Sequence, residues 1–340
     1  MALRWKMVYD RYHREKQKGR LNETVRKILV TFPMNEEQRG ELSRIAPEAE
    51  LVFLPHREVT EELISDVEVL LGNVRPPLLK AAKKLRWMQL QSAGAEAYIA
   101  EGVLPEGAVL TNAAGAYGTA VGEHFLAMLL SLYKKLYLYR DRQREALWSD
   151  ERDVRTISGA RLLVVGAGDI GRAFARMAKA LGAYTIGVKR TPAACPDCFD
   201  ELHTIDRLDE LLPAADVVAL VLPATPETVG LFDAERIGRM RDGAVLLNCG
   251  RGSAVDTDAL CAALASGKLA GAGLDVTDPE PLPREHPLWR QENAVITPHV
   301  AGGDRLESTA RWIVGLCQRN LRAYLAGQPL ENVVTPERRY

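Results

Sequence analysis

The chain reads as an α/β protein with two doubly wound parallel sheets, and three features predict this. Short apolar runs alternate with amphipathic helical stretches from Lys27 to about residue 90, and a second alternating series runs from Arg161 to His299. A glycine-patterned turn, GAGDIG, stands between the first strand and the first helix of the second series. Runs such as RLLVV and DVVALVL are apolar along their whole length, which suits strands covered by helices on both faces of a sheet.

In the first series, strands are expected at KILVTF, AELVFLP, VEVLLGN and WMQLQSAG, with helices near 35–46, 60–66 and 76–85. From Ala120 to about Trp148 the pattern becomes one long helix, apolar at Phe125, Met128, Leu129, Leu132 and Leu136 and basic in its second half. It is long enough to link two lobes or to build a dimer contact, and a homodimer is expected. The second series places strands at RLLVVGAG, AYTIGV, DVVALVLP, GAVLLNCG, LAGAGLDV and NAVITPHV, with helices between most of them. The helix after GAGDIG is expected to pack through Phe174, Met177 and Leu181. A last helix, Leu306 to Leu325, is expected to return to the first domain. These readings give an N-terminal extension at 1–26, a first domain at 27–119 and 302–340, and a second at 120–301. The extension carries eight Lys/Arg against three Asp/Glu, and it reads as a solvated or subunit-packing arm. Asp10, Glu15 and Glu23 interrupt what a transit peptide would leave free of acids.

Composition narrows the class. The 340 residues carry a formal charge of −1 and are 47% hydrophobic, so nothing asks for nucleic acid or an acidic partner. The longest strongly apolar stretch, Phe125 to Leu132, is too short for a membrane span, and the start lacks a secretory core, so a cytoplasmic protein is expected. Five cysteines, an odd number, suggest reduced thiols. Cys195 and Cys198 form a CxxC pair without the second pair that a zinc site needs, and no metal is expected.

The turn after RLLVV carries the clearest chemistry. Gly166 permits a tight turn, Gly168 lets a pyrophosphate approach the backbone, and Gly171 allows close packing of the helix that Asp169 and Ile170 open. The helix N-terminus then faces the phosphates of a dinucleotide. An NAD site usually has an acid at the end of the next strand to bind the ribose hydroxyls. Here AYTIGV is followed by Lys189, Arg190 and Thr191, and the first acid beyond is Asp197. Two cations and a hydroxyl suit a 2′-phosphate, so NADP is expected as the preferred cofactor, with NAD possible. Ligands on such sheets bind at the carboxyl ends of strands, where Arg251, Asp275 and His299 stand, with Glu280 in the proline-rich turn DPEPLP. An arginine that fixes a carboxylate and a histidine that protonates an oxygen are what reduction of a 2-oxo acid needs.

The stretches VVGAGDIGRAFA, LPATPETVGLFD, LLNCGRGSAVDTDAL, GKLAGAGLDVTDPEPLPREHPLW, NAVITPHVAG and TNAAGAYGTAVGEHFLAMLL resemble the D-isomer-specific 2-hydroxyacid dehydrogenases, from about Lys27 onward. The resemblance implies a flavodoxin-like substrate domain and a Rossmann dinucleotide-binding domain. It implies that Arg251 binds substrate, that His299 is the acid/base, and that Glu280 is its carboxylate partner. Asp275 resembles the aspartate on the carboxamide side of the cofactor. Pro223 and Thr228 look like the wall near the adenosine half, and Cys249 and Gly250 resemble residues close to the nicotinamide. The loop at Ala93 and Gly94 looks like the one whose N–H groups hold the substrate carboxylate, with Asn73 beside it. Gly122 stands where alanine is usual. A reductase of small 2-oxo acids such as glyoxylate or hydroxypyruvate is the expectation. A nucleotide-sensing corepressor or scaffold of the same fold and a short phosphoglycerate dehydrogenase are the alternatives.

Overall fold

The computed structural model describes residues 25–303 and 306–335, so residues 1–24 of the expected extension lie outside it. The described residues divide into two compact units, 25–116 with 306–335, and Tyr117–Gly303.

The first unit is built on a five-stranded parallel sheet. Its strands are β1 (Lys27–Val30), β2 (Glu50–Phe53), β3 (Val69–Leu71), β4 (Trp87–Gln89) and β5 (Val109–Thr111), in the order β2-β1-β3-β4-β5. This is the flavodoxin-like order, and the winding reverses between β1 and β3. The first helix, Glu36–Ile45, starts on a capping box in which the Asn35 side chain and Gln38 bond each other's backbone. The helix expected near 60–66 is the single turn Glu61–Ile64, capped by Thr60. The helix expected near 76–85 is instead a 3₁₀ turn, Pro76–Lys80, continued by i→i−3 bonds at Ala81, Ala82 and Leu85. Buried Leu79, Ala82 and Leu85 recur at every third residue, so the tighter period puts them on one face. The last helix, Glu307–Leu325, packs within this unit: Tyr324 stacks on Trp87, and Asn320 Nδ2 donates to Gln89 Oε1 at 2.8 Å.

In the second unit the sheet has seven parallel strands: β6 (Arg161–Val165), β7 (Tyr184–Lys189), β8 (Glu201–Thr204), β9 (Val217–Leu220), β10 (Ala244–Asn248), β11 (Leu269–Leu274) and β12 (Ala294–Ile296). Their order is β12-β11-β10-β9-β6-β7-β8, with the winding reversing between β6 and β9. The sequence pattern misses β5 and β8. Both are short edge strands of three or four residues, and the four residues of β8 alternate too weakly to stand out.

The long helix expected from Ala120 to Trp148 is two helices, Gly118–Tyr133 and Leu136–Arg144. Lys135 between them is left-handed at φ 53°, its N–H bonds the Leu132 carbonyl, and its ammonium reaches the Glu151 carbonyl at 3.0 Å. That turn ends the ladder, so Phe125, Met128, Leu129 and Leu132 are buried as expected while Leu136 is 54% exposed. The helix Asp169–Ala180 buries Gly171, Phe174, Ala175 and Ala178. Leu181, expected on that face, lies past the helix end and is exposed. Phe174 stacks on Phe125, with ring centroids 4.9 Å apart. Among the described residues no helix is long and apolar enough to cross a membrane.

Candidate active site

The glycine turn lies where the second sheet reverses. The N–H groups of Gly166 and Ala167 both donate to the Val188 carbonyl, which binds the turn to the end of β7. Gly166 has φ +113°, and a Cβ there would sit 2.2 Å from the Val221 carbonyl oxygen, so the position admits only glycine. A Cβ at Gly171 would lie 2.2 Å from the Gly166 oxygen, which is how closely the helix packs on the turn. Beside Gly168 a Cβ would meet nothing within 4 Å. Gly168 caps the helix without a side-chain bond, and among the described residues the N–H groups of Asp169, Ile170 and Gly171 have no acceptor. Three unsatisfied donors at a helix start beside open space fit an anion. The Asp169 carboxyl turns toward the Gly118 N–H, and desolvation there raises it above the usual carboxylate range, although the residue as a whole is exposed.

Lys189 ends β7 one residue after the Val188 carbonyl that receives the turn, and Arg190 and Thr191 follow, both exposed. Among the described residues no hydrogen bond or ion pair engages the Lys189 or Arg190 side chains. After β9, Thr228 Oγ1 donates to the Pro223 carbonyl at 2.6 Å and accepts from the Thr225 N–H, closing a tight loop.

Past β10 the chain folds around Asn248, a buried amide that the sequence reading missed. Asn248 Oδ1 accepts from the Gly250 N–H and its Nδ2 donates to the Arg251 carbonyl, both at 3.0 Å. A Cβ at Gly250 would lie 2.5 Å from the Leu222 nitrogen, so this turn lies tight against the segment after β9. Arg251 is half-buried, and its Nη1 donates to the Gly250 carbonyl at 2.9 Å. Cys249 is buried, and burial together with the Asp275 charge pushes its thiol far above the usual range, so it stays protonated.

Asp275, expected as a cofactor contact, is 2% exposed, and both of its oxygens are engaged within the protein. Oδ1 accepts from Thr297 Oγ1 at 2.6 Å and from the Val300 N–H, and Oδ2 accepts from the Ala301 N–H. Thr297 is also 2.9 Å from His124 Nε2. These bonds brace the segment that carries His299, whose φ of +53° is uncommon for a side chain with a Cβ. The His299 N–H adds bonds to the Asp275 and Thr297 carbonyls. His299 Nδ1 lies 2.6 Å from Glu280 Oε1. An ionised carboxylate can only accept, so Nδ1 carries the proton, and Nε2 has no partner among the described residues. His124, Asn248 and Thr297 were illegible as site residues because each acts on backbone or on another side chain, and no local sequence pattern announces such a partner.

In the first unit, Asn73 is a brace. Its Oδ1 accepts from the Gln91 N–H and its Nδ2 donates to Ser92 Oγ, which donates to the Gly94 carbonyl. Asn112 Nδ2 takes the Ala93 carbonyl at 2.7 Å. The carbonyls of this loop are thus held inward, and among the described residues the N–H groups of Ser92, Ala93 and Gly94 have no acceptor. Such a row of free N–H donors fits a carboxylate.

Comparison with known proteins gives a consistent result. A family model described as "D-isomer specific 2-hydroxyacid dehydrogenase, NAD binding domain" matches residues 126–301. A glyoxylate reductase of Korarchaeum cryptofilum is 30% identical, over 92% of this chain and 96% of that protein. A D-3-phosphoglycerate dehydrogenase of Methanocaldococcus jannaschii is 30% identical, over 91% of this chain but 59% of that protein. A crystal structure of a D-isomer specific 2-hydroxyacid dehydrogenase from Xanthobacter autotrophicus, in complex with NADPH and MES, superposes with a TM-score of 0.78. It is 28% identical, over 94% of this chain and all of that one.

Proposed function

The chain belongs to the D-isomer specific 2-hydroxyacid dehydrogenase family, an NAD(P)-dependent oxidoreductase acting on a CH–OH group, and from that premise we propose that it reduces a small 2-oxo acid with NADPH. The observation that carries the proposal is the His299–Glu280 pair at the end of β12, with its outer nitrogen unengaged. When bound, the dinucleotide supplies the reducing equivalent. Gly168 and the first-turn N–H groups of the helix Asp169–Ala180 would hold its pyrophosphate, with Gly166 shaping the turn that presents them, and Lys189, Arg190 and Thr191 would hold its 2′-phosphate. His299, doubly protonated, donates its Nε2 proton to the carbonyl oxygen as the alcohol forms, and keeps the Nδ1 proton shared with Glu280. Arg251 binds the carboxylate with its planar guanidinium, and the Ser92–Gly94 loop offers a second set of oxyanion donors in its own unit. The engaged oxygens of Asp275 favour a bracing role for it over a cofactor contact. Exposed Leu136, Leu147, Trp148 and Val154 support assembly as a homodimer.

The test is initial-rate kinetics with NADPH and NADH against a panel of 2-oxo acids that includes glyoxylate, hydroxypyruvate and 3-phosphohydroxypyruvate. NADPH is expected to win by about tenfold or more in kcat/KM, because a hydrogen bond to a charged group is worth about 1.5 to 3 kcal/mol. Arg190→Ala should erase much of that margin through KM for NADPH. Parity between the cofactors would refute the NADPH preference, and tight NADPH binding with no turnover on any acid would favour a nucleotide-sensing scaffold instead.

A further inference from the structure

A cavity of about 330 Å³ opens at the opposite end of the seven-stranded sheet from the glycine turn and His299. Its walls come from the residues just before β6, β9 and β10, three adjacent strands, together with the last residue of the helix Gly118–Tyr133. Because the strands are parallel, five residues of β6 separate this end from the other, about 17 Å. The volume is at the lower end of what small-molecule sites show.

Tyr133 supplies the decisive group. The residue is 3% exposed and its ring belongs to the core around Phe125 and Phe174, yet among the described residues its hydroxyl has no hydrogen-bond partner. The ring is buried but the hydroxyl opens onto the cavity, where a ligand can reach it. Burial pushes the phenol up to about 12, with Asp216 adding to the rise, so at neutral pH it is an intact O–H donor in the cavity wall.

The lining holds two arginines and two aspartates, but both aspartates are already engaged. Asp216 is fully committed, one oxygen to the Arg241 guanidinium and the other to the Arg161 N–H at 2.8 Å. Asp242 pairs with Lys268 at 2.6 Å. Arg155 Nη1 donates to the Gly243 carbonyl at 2.5 Å, and among the described residues no carboxylate pairs with this guanidinium. The cavity therefore presents one uncompensated cation, a second cation whose acid is already shared, and an unpartnered hydroxyl donor.

We propose that this cavity is a second ligand site, for a small oxyanion, either a carboxylate or a phosphate compound, held by Arg155 and the Tyr133 hydroxyl with Arg241 behind them. The site does not depend on the dehydrogenase assignment, and a ligand there would act at a distance from the reacting groups. Calorimetric titration of the full chain with inorganic phosphate, and separately with malonate, which has no 2-oxo group to reduce, distinguishes the two kinds of oxyanion. The dissociation constant of whichever binds is expected to rise about tenfold in Arg155→Gln and about threefold in Tyr133→Phe, from loss of a charged and a neutral hydrogen bond. It is expected to be unchanged in an Arg190→Ala/Arg251→Ala double variant, because those residues lie at the other end of the sheet. Turnover measured without added anion should be the same in Arg155→Gln, Tyr133→Phe and wild type, which shows that both variants fold and keeps a failed dehydrogenase assignment separate from a failed site. Absence of binding by either anion, affinity indifferent to both single variants, or binding lost only in the double variant overturns the proposal.

Discussion

His299 sits in left-handed backbone that few residues other than glycine adopt, and it is held there by the bonds its own N–H donates and by the Asp275 carboxylate, which accepts from the N–H groups of Val300 and Ala301. Among the described residues its imidazole is aimed by one hydrogen bond, the 2.6 Å bond from Nδ1 to Glu280. Removing the ring and removing the charge of its partner should therefore differ in size. His299→Ala is expected to lower kcat by about 10² to 10⁴, as loss of a general acid does, with the NADPH dissociation constant nearly unchanged. Glu280→Gln keeps an acceptor for Nδ1 but not the charge, and about tenfold in kcat is expected. Steady-state kinetics with a titration of NADPH checks both; a His299→Ala enzyme that keeps most of its turnover removes the histidine from the chemistry. At this scale Arg251, Glu280 and His299 were legible because each follows a strand or sits in a stiff proline turn. The work of Asp275 was not legible, since its partners are Thr297 and two backbone N–H groups that no side-chain pattern reveals.

Among elements, the turn from β6 into its helix separates two kinds of glycine. Gly166→Ala would force a Cβ to 2.2 Å from the Val221 oxygen in a positive-φ conformation, and marked destabilisation is expected. Gly168→Ala points into open space at φ −83°, so its melting temperature should stay near wild type while NADPH binding weakens. Thermal denaturation with and without NADPH reads both effects, and unchanged NADPH affinity in Gly168→Ala would place the pyrophosphate elsewhere. The segment from Arg190 onward is anchored at its far end by Asp200, whose carboxylate accepts from Lys179 Nζ at 2.8 Å and from the N–H and hydroxyl of Thr185. The Lys179 bond, then the Thr185 N–H, hold the Asp200 carboxyl below the usual range. A depressed folded value means that this stabilisation is complete above the unfolded value of about 3.9 and is lost as pH falls through the folded one. Asp200→Asn should melt below wild type at neutral pH, with the gap closing below about pH 4. A gap that stays constant from neutral to acid pH would show that the ionised carboxylate contributes nothing.

For the molecule as a whole, four of the second unit's exposed apolar residues, Leu136, Leu147, Trp148 and Val154, follow the break at Lys135 closely in sequence, while others such as Leu181, Val229, Trp289 and Val300 are scattered along the unit; Trp148 is fully exposed. Such surface is costly in water, and a second copy of the chain is the proposed cover. Light scattering after size exclusion should give twice the 37.5 kDa chain mass for wild type, and a shift toward monomer for a Leu147→Asp/Trp148→Glu variant. A wild-type protein that is monomeric at micromolar concentration would end that proposal. The first unit is closed by the last helix, through Tyr324 on Trp87 and through the buried Asn320, Gln89 and Thr111 side chains, which form a polar network in an apolar sheet.

By itself the sequence determined both parallel sheets, the glycine turn and the missing acid after β7, and it singled out three candidate chemical side chains, because each rests on local rules. Strand hydrophobicity, glycine spacing and strand-end polarity act within a few residues and survive without knowledge of the rest of the chain. Tertiary structure alone decided that the helix from Gly118 stops at Tyr133, that 76–85 takes the 3₁₀ period, and that β5 and β8 pair at sheet edges. It also decided that Asn73, Asn112, Asn248 and Asp275 spend their polar atoms bracing loops. Those outcomes depend on which backbone groups are left unpaired when distant segments meet, and a buried donor or acceptor must find its partner wherever the fold puts one.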